Sequence, residues 1–495
     1  MDNPDVIIIG GGVSGLVSAG LLASKGFDVL VFEKESKAGG YVTGFKRDGF
    51  YFDATGAFIA ACRPGGEFYQ ILHELNIADA LKFFPIGKIW NIYPDFELRT
   101  HYDNPDTYIG EIKRIFPIHT QALEAYAQLT TRLGKEFIEF ESAPLWKKSF
   151  LPFSFPTLFK NAKKSHAEIL DAFFGTDHRI HMALSALPTT LPPSKLSYAF
   201  VAILWAKVLS DGVYYPEGGM LTLANFLSSA VTDNGGNIEY NKIVDKIMIN
   251  KKRAMGIVLT DGTEIHSKWI IGSTNLFKSG QMLPGKEIMY GKMHRIDRFS
   301  PSLSALLFYV ALPSSCLPKN WPYFISIHTG SDPEDEYRTL EEGNLGKDVH
   351  LVITTPTVLD PSLAPENHHS LKILVHAPHA DRFQKMYGTE VDMDRLKNTI
   401  FSAIKKHTGL DIHRHALFLD TATPVTLMER TGNENGAMYG LDAACEQVGP
   451  LRPPNRTALD NLLWVGHYTR PSHGIVGSAM AGKFAANIIQ SKGNK

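Results

Sequence analysis

A layered α/β protein with a parallel sheet is what the chain predicts, and three observations near its start carry that. Val6 to Ile9 are apolar and mostly β-branched without alternation, the pattern of a strand covered on both faces. Gly10, Gly12 and Gly15 follow as G-x-G-x-x-G, opening a helical run from about Ser14 to Ser24 with Gly26 after it. A second strand, Asp28 to Phe32, then delivers Glu33, roughly 20 residues past the glycines.

Each glycine answers a steric need. The first permits a tight turn, the second lets a phosphate approach the backbone, and the third lets the helix lie close to the sheet. The helix would aim its amides and positive dipole end at a pyrophosphate, and the Glu33 carboxylate could accept hydrogen bonds from ribose hydroxyls. A glycine turn joining a plain βαβ unit is the bland alternative. Strand, turn, helix and acid in register favour a Rossmann-type dinucleotide site instead. An acid at Glu33 disfavours a 2′-phosphate, and so NADP, without separating FAD from NAD.

The 495 residues, 44% hydrophobic and 20% charged, suffice for two or three globular domains. A formal net charge of −1 lacks the basic footprint of nucleic-acid binders, so no nucleic-acid partner is expected. Cys62, Cys316 and Cys445 lie far apart, without the spacing of a disulfide framework or a zinc site, which suits a reducing cytoplasm. The acidic opening MDNPD leads at once into the first strand and carries no cationic leader pattern, and no uninterrupted apolar run reaches spanning length.

After Glu33 come KESKAGGYVTGFKRDGFYFDATGAFI with the Gly39-Gly40 doublet, then YYPEGGMLTLANFLSSAVTDNGGNIEYNKIVDKIMI from Tyr214, ATPVTLMERTGNENGAMYGL from Ala422 and NLLWVGHYTRPSHGIVGSAMAGKFAANII from Asn461. In this order the blocks resemble the amine oxidase and phytoene desaturase superfamily, most closely its branch of carotenoid cis-trans isomerases, phytoene desaturases and retinol saturases. The resemblance covers the whole chain. It implies a glutathione-reductase-like FAD-binding domain with an inserted α+β substrate domain, and FAD as the cofactor. Cofactor contacts are implied at Gly10, Gly12, Val13, Ser14, Gly15, Glu33, Lys34, Gly39, Gly40 and Tyr41. They continue at Thr55, Gly56, Ala57, Val244, Gly466, His467, Gly474, Ile475 and Val476. Two positions depart from the family's habit: His467 stands where an Asp is frequent, and Tyr41 follows the doublet where many members carry Arg.

The cofactor domain is expected to be discontinuous, over 1–85, 214–290 and 415–495, with 86–213 and 291–414 forming the substrate domain. Within the latter, VHLVITTPTVL and LKILVHAPHA read as strands, DRLKNTIFSAIKKHTG from Asp394 as an amphipathic helix, and the acidic stretch 330–348 as a solvated loop. Segment 144–165 mixes Trp146, Phe150, Phe153, Phe155 and Phe159 with five lysines and no acid. It reads either as a peripheral contact with the inner face of a membrane or as an aromatic core segment with lysines at its rim. The apolar run Tyr198 to Leu209, interrupted by Lys207, reads as a buried or tunnel-lining helix.

No Ser-His-Asp order, P-loop or metal-ligand spacing competes, and the pairs His368/His369 and His413/His415 read as surface residues, so no metal is expected. The resemblance implies an oxidoreductase acting on C–C or C=C bonds of a hydrophobic polyene, prenyl or other lipid-like substrate by hydride transfer. A redox-neutral isomerase using reduced flavin, an amine oxidase and a non-catalytic flavoprotein are the alternatives. His473, and less so Tyr468, are the candidates for proton exchange, Asp53 a loop-shaping acceptor rather than a base. Neither KDVHLVI nor HAPHA offers a clear lysine of the kind an amine oxidase would use.

Overall fold

The computed structural model describes residues 3–185, 189–283, 296–346 and 348–493. Val6–Ile9 is the middle strand of a parallel five-stranded sheet, flanked by Val29–Phe32 and Asn237–Glu239 on one side and by Trp269–Gly272 and Leu462–Trp464 on the other. All four residues of the middle strand are buried, as their unbroken apolar run requires. The first helix, Val13–Ala23, packs along the C-terminal helix, Gly474–Gly493, so the two ends of the polypeptide meet. The approach is close: Ser18 Oγ donates to the Gly482 carbonyl at 3.1 Å, and a Cβ at Gly482 would collide with the Ser14 carbonyl.

The second layer is a mixed seven-stranded sheet, in the order Phe418–Ala422, Ser304–Pro313, His368–Ala377, His350–Thr354, Phe324–His328, Lys88–Ile92 and Glu97–His101. The expected strands around 350 and 370 are both there. Its outer face is covered by the helix Glu390–Thr408, whose Phe401 meets Phe308 at 5.1 Å between ring centres. Its inner face turns toward the segment 54–58 of the cofactor half: Tyr309 Oη donates to the Ala54 carbonyl at 2.7 Å, and Phe324 lies 6.1 Å from Phe58.

Two expectations are corrected in detail. Phe418–Ala422 lies beyond the 415 boundary yet pairs with Ser304–Pro313 in the seven-stranded sheet, because its backbone partners are there. The boundary at 290/291 lies outside the described residues. The stretch 330–348 is not a loop throughout: Asp332 caps a helix Pro333–Glu341, its side chain accepting from Glu334 N–H, and Tyr337 and Leu340 are buried beneath it. The run from Tyr198 folds as an α-helix to Leu204 and continues as a π-helical turn, Trp205–Leu209.

Candidate functional site

The glycine turn has the geometry its spacing predicts. Gly10 takes φ +101°, a value glycine alone adopts readily, and a Cβ at Gly15 would strike the Gly10 carbonyl. At Gly12 an added Cβ would meet only Ser273 Oγ at 4.0 Å, so open space lies beside the turn. Val13 and Ser14 begin the first helix, where Ser14 Oγ pairs with Ser273 Oγ at 2.7 Å. Glu33 is buried at the end of the second strand, its carboxylate accepting from Gly11 N–H at 2.7 Å and from Glu35 N–H at 2.9 Å. Burial pushes that carboxyl up against these two donors, and spare lone pairs remain for ribose hydroxyls. Gly39 N–H donates to the Gly11 carbonyl at 2.8 Å, which pins the doublet turn, with Gly40 at φ +59°, onto the glycine loop. Val244 is buried at the start of the strand Val244–Asn250. Lys34 is placed differently from the expectation: its Nζ reaches outward to the Glu429 carbonyl at 2.7 Å and to Glu35.

The two departures prove to be joined. Asn433 Nδ2 donates to Tyr41 Oη at 2.8 Å, Asn433 Oδ1 accepts from Tyr468 Oη at 3.0 Å, and His467 Nε2 lies 3.3 Å from the same oxygen. Tyr41 Oη in turn donates to the Ala437 carbonyl at 2.8 Å, and its ring stands 5.8 Å from that of His467. Arg452, fully buried, fastens the same turn by donating to the carbonyls of Thr469 at 3.1 Å and Leu441 at 3.2 Å, and to that of His467.

His473 and Tyr468, the two proton-exchange candidates, face different surroundings. His473 sits between Phe200 and Tyr439, each 4.8 Å away between ring centres, and its buried Nδ1 has no hydrogen-bond partner. Burial, with Arg452 and His467 nearby, holds its imidazole neutral well below the usual value. Tyr468 is corrected: its hydroxyl is bound to Asn433 and its ring packs edge-on against Phe277 in the core, so it is a buried strut rather than a proton carrier. Gly466 takes φ +108° opposite Ser14, Gly474 takes φ +79° with nothing near an added Cβ, and Ile475 and Val476 lie half-buried on the first turn of the last helix.

Thr55, Gly56 and Ala57 form the third wall. Thr55 Oγ1 donates to the Tyr41 carbonyl at 2.8 Å, tying this wall to the doublet turn. Lys372 Nζ donates to the carbonyls of Thr55 at 2.7 Å and Gly56 at 2.5 Å, and Tyr323 Oη donates to Ala57. Lys372 is a buried lysine in the very strand that offered no clear one, and burial pulls it down to about 8. Asp53 is the loop-shaping acceptor expected, receiving Tyr51 Oη at 2.9 Å, Tyr215 Oη at 2.8 Å and Met220 N–H at 2.9 Å. Sequence reading missed Asn433, Arg452 and Lys372, whose partners lie far along the chain and leave no local spacing to find.

Two glycine turns, each opening a helix, stand at the ends of two strands of the parallel sheet, as a nucleotide-binding α/β protein requires. Open space at Gly12 and the unpartnered buried atoms Thr274 Oγ1, beside the Gly10 turn, and His473 Nδ1, next to Gly474, fit a bound group at these turns. The profile of the family described as flavin containing amine oxidoreductase matches residues 13–490, and the chain belongs to that family; its cofactor is a flavin. Among similar curated proteins, the chloroplastic prolycopene isomerase of Daucus carota is 27% identical, over 98% of this chain and 80% of that protein. A 4,4′-diapophytoene desaturase of Staphylococcus haemolyticus is 23% identical, over 95% of each chain. Of solved structures, cyclohexylamine oxidase from Brevibacterium oxydans shares the fold at TM-score 0.63 with 17% identity, covering 100% of both chains. A putrescine oxidase triple mutant does so at TM-score 0.65 with 15% identity, covering 99% of each. Among the described residues no helix is long and apolar enough to cross a membrane, and no group of three or more His, Cys, Asp or Glu is placed to hold a metal ion.

Proposed function

We propose that the protein is an FAD-dependent oxidoreductase that desaturates or saturates C–C bonds of a hydrophobic polyene or prenyl substrate. The observation that carries this reading is the full-length similarity to carotenoid enzymes, which coincides with an inner sheet face presenting Leu307, Leu374 and Val352 beside the Thr55–Ala57 wall. FAD rather than a mononucleotide is supported by Glu33 and the Gly10–Gly15 turn, an arrangement suited to a ribose and a pyrophosphate. Gly466, His467 and Gly474 would hold the ring end. When bound, FAD supplies hydride exchange at its ring N5. The chain's own part is to orient the substrate on the inner face, exclude water and place the neutral imidazole of His473 beside the cleft, able to accept or return a proton at its free Nδ1.

A redox-neutral cis-trans isomerase is the second reading, favoured by the prolycopene isomerases among the relatives. Product analysis after anaerobic incubation with a cis-polyene separates the two. A desaturase forms product in proportion to an added electron acceptor, whereas an isomerase turns over repeatedly on reduced flavin with none.

Delivery of such a substrate from a lipid surface fits segment 144–165, which folds as three short helices, Leu145–Ser149, Leu151–Ser154 and Pro156–Asn161. Phe155 is buried against Phe140, but Trp146, Phe150, Phe153 and Phe159 are 67, 59, 86 and 55% exposed. Lys147 is occupied by Glu139 and Lys148 by the Glu141 carbonyl, leaving the exposed Lys160, Lys163 and Lys164 to meet anionic headgroups. This pattern favours a peripheral contact on the inner membrane face over a core segment.

A further inference from the structure

Four consecutive carbonyls of the Thr55–Ala57 wall are captured from the seven-stranded sheet. Tyr309 Oη donates to that of Ala54 at 2.7 Å, Lys372 Nζ to those of Thr55 at 2.7 Å and Gly56 at 2.5 Å, and Tyr323 Oη to that of Ala57. Tyr309 and Lys372 face each other in register across neighbouring strands, and Tyr323 precedes the strand Phe324–His328, two strands beyond that of Lys372. Three side chains on one side of the wall thus fix the direction of its peptide groups.

The peptide bonds of this stretch are trans, so each N–H points opposite to the carbonyl before it. With the carbonyls of Ala54, Thr55 and Gly56 turned to the sheet, the N–H groups of Thr55, Gly56 and Ala57 are turned away from it. Among the described residues none of these three amides has a hydrogen-bond partner, whereas Ala54 N–H, one residue earlier, donates to the Thr43 carbonyl at 2.9 Å. Backbone donors in a half-buried stretch are nearly always satisfied, and successive free ones suit a strongly accepting or anionic group. The stretch is tied to the doublet turn through Thr55 Oγ1, and Tyr41 of that turn stands 5.8 Å from His467, so the amides lie among the walls of the flavin site. Lys372 adds charge to the arrangement. Its buried ammonium, with Asp53 as countercharge, lies at the carbonyl ends of two of these peptides and polarises them, which strengthens the N–H at the other end.

We infer that Lys372, Tyr309 and Tyr323 are positioning residues: by holding the carbonyls of 54–57 they aim the Thr55, Gly56 and Ala57 amides at the polar edge of the flavin ring, where negative charge gathers on reduction. Donors preset toward developing charge need no reorganisation when it appears, so they favour the reduced ring over the oxidised one. The inference rests on the flavin and not on the polyene reading, and it stands for either class of substrate.

The test is the midpoint potential of the flavin in the loaded protein, measured by equilibration with a reference dye during slow anaerobic reduction. Lys372→Met should lower it, by about tenfold in the equilibrium constant for reduction, and Lys372→Arg, which keeps a cationic donor, should restore most of the loss. Tyr309→Phe and Tyr323→Phe each release one carbonyl and leave every charge in place, and each should shift the potential the same way by a few-fold. A merely structural Lys372 would lower the unfolding midpoint of Lys372→Met and leave the potential of its loaded fraction at the wild-type value, which overturns the inference. So does a drop confined to Lys372→Met with both tyrosine variants unchanged, since the bare charge of the ammonium then accounts for it. Where Lys372→Met holds no flavin, the two tyrosine variants decide: a lowered potential supports the amide row, and the wild-type value in both overturns it. No outcome bears on whether the substrate is a polyene, which product analysis tests separately.

Discussion

Asn433 shows how much of the site rests on one side chain. It is buried between the doublet turn and the C-terminal turn, and it serves Tyr41 through its amide nitrogen and Tyr468 and His467 through its oxygen. Asn433→Leu would take the partner from the buried Tyr468 hydroxyl and from His467 Nε2, while Tyr41 Oη keeps the Ala437 carbonyl, at a cost of about 2 kcal/mol. The expected outcome is a lower denaturation midpoint together with partial loss of flavin on gel filtration; a variant that keeps full flavin and stability would show that the network is dispensable. Asp53 makes a parallel case, with two tyrosine hydroxyls and a backbone amide converging on it beside Lys372. Asp53→Ala should destabilise by roughly 3 kcal/mol or more, read in the same unfolding measurement. The glycines of the first turn and Glu33 were legible in the sequence because they act within one βαβ unit, whose spacing is fixed. Tyr41 and His467 were legible only as departures, since the residue that reconciles them is hundreds of positions from one of its partners.

At the scale of elements, the strands announce themselves wherever both faces are buried, as in Val6–Ile9, and fade where they are short and polar, as in Phe418–Ala422. The helix Pro333–Glu341 reads as a loop because its acidic composition outweighs its start signals: a capping Asp332, Pro333 at the first position and acids in the first turn. The row of His328, His350 and His376, stacked at 4.0 Å and then edge-on at 4.7 Å between ring centres, cannot be seen in the sequence at all, because its members sit on three strands and adjoin only through sheet register. Those buried imidazoles carry a pH dependence. Burial lowers His376 from 6.5 to about 4, so in that window the folded chain binds fewer protons than the unfolded one, and stability falls as pH drops through it. Between pH 6.5 and 4, His376→Gln should therefore lose less stability than the wild type in denaturant titrations; identical slopes would place the imidazole in water instead.

On the scale of the whole molecule, the fold brings the first helix and the last into contact and leaves one aromatic, lysine-bearing face outward. Composition marks that face without resolving its role, because exposure is a property of packing: Phe155 turns inward while its neighbours do not. Flotation with anionic vesicles should carry the wild type upward, and Phe150→Ser with Phe153→Ser, or Lys160→Glu with Lys163→Glu, should leave it at the bottom. Binding undiminished in both double variants would assign lipid contact elsewhere.

What the flavin cleft accepts decides between polyene and amine chemistry. The most direct measurement mixes the flavin-loaded protein anaerobically, in its oxidised and its reduced form, with a conjugated polyene and separately with a primary amine, following the flavin spectrum and the products together. Conversion of the polyene by one of the two flavin states, with the amine unchanged, is the expected result. Bleaching of the oxidised flavin by the amine, with the polyene untouched in either state, would contradict it.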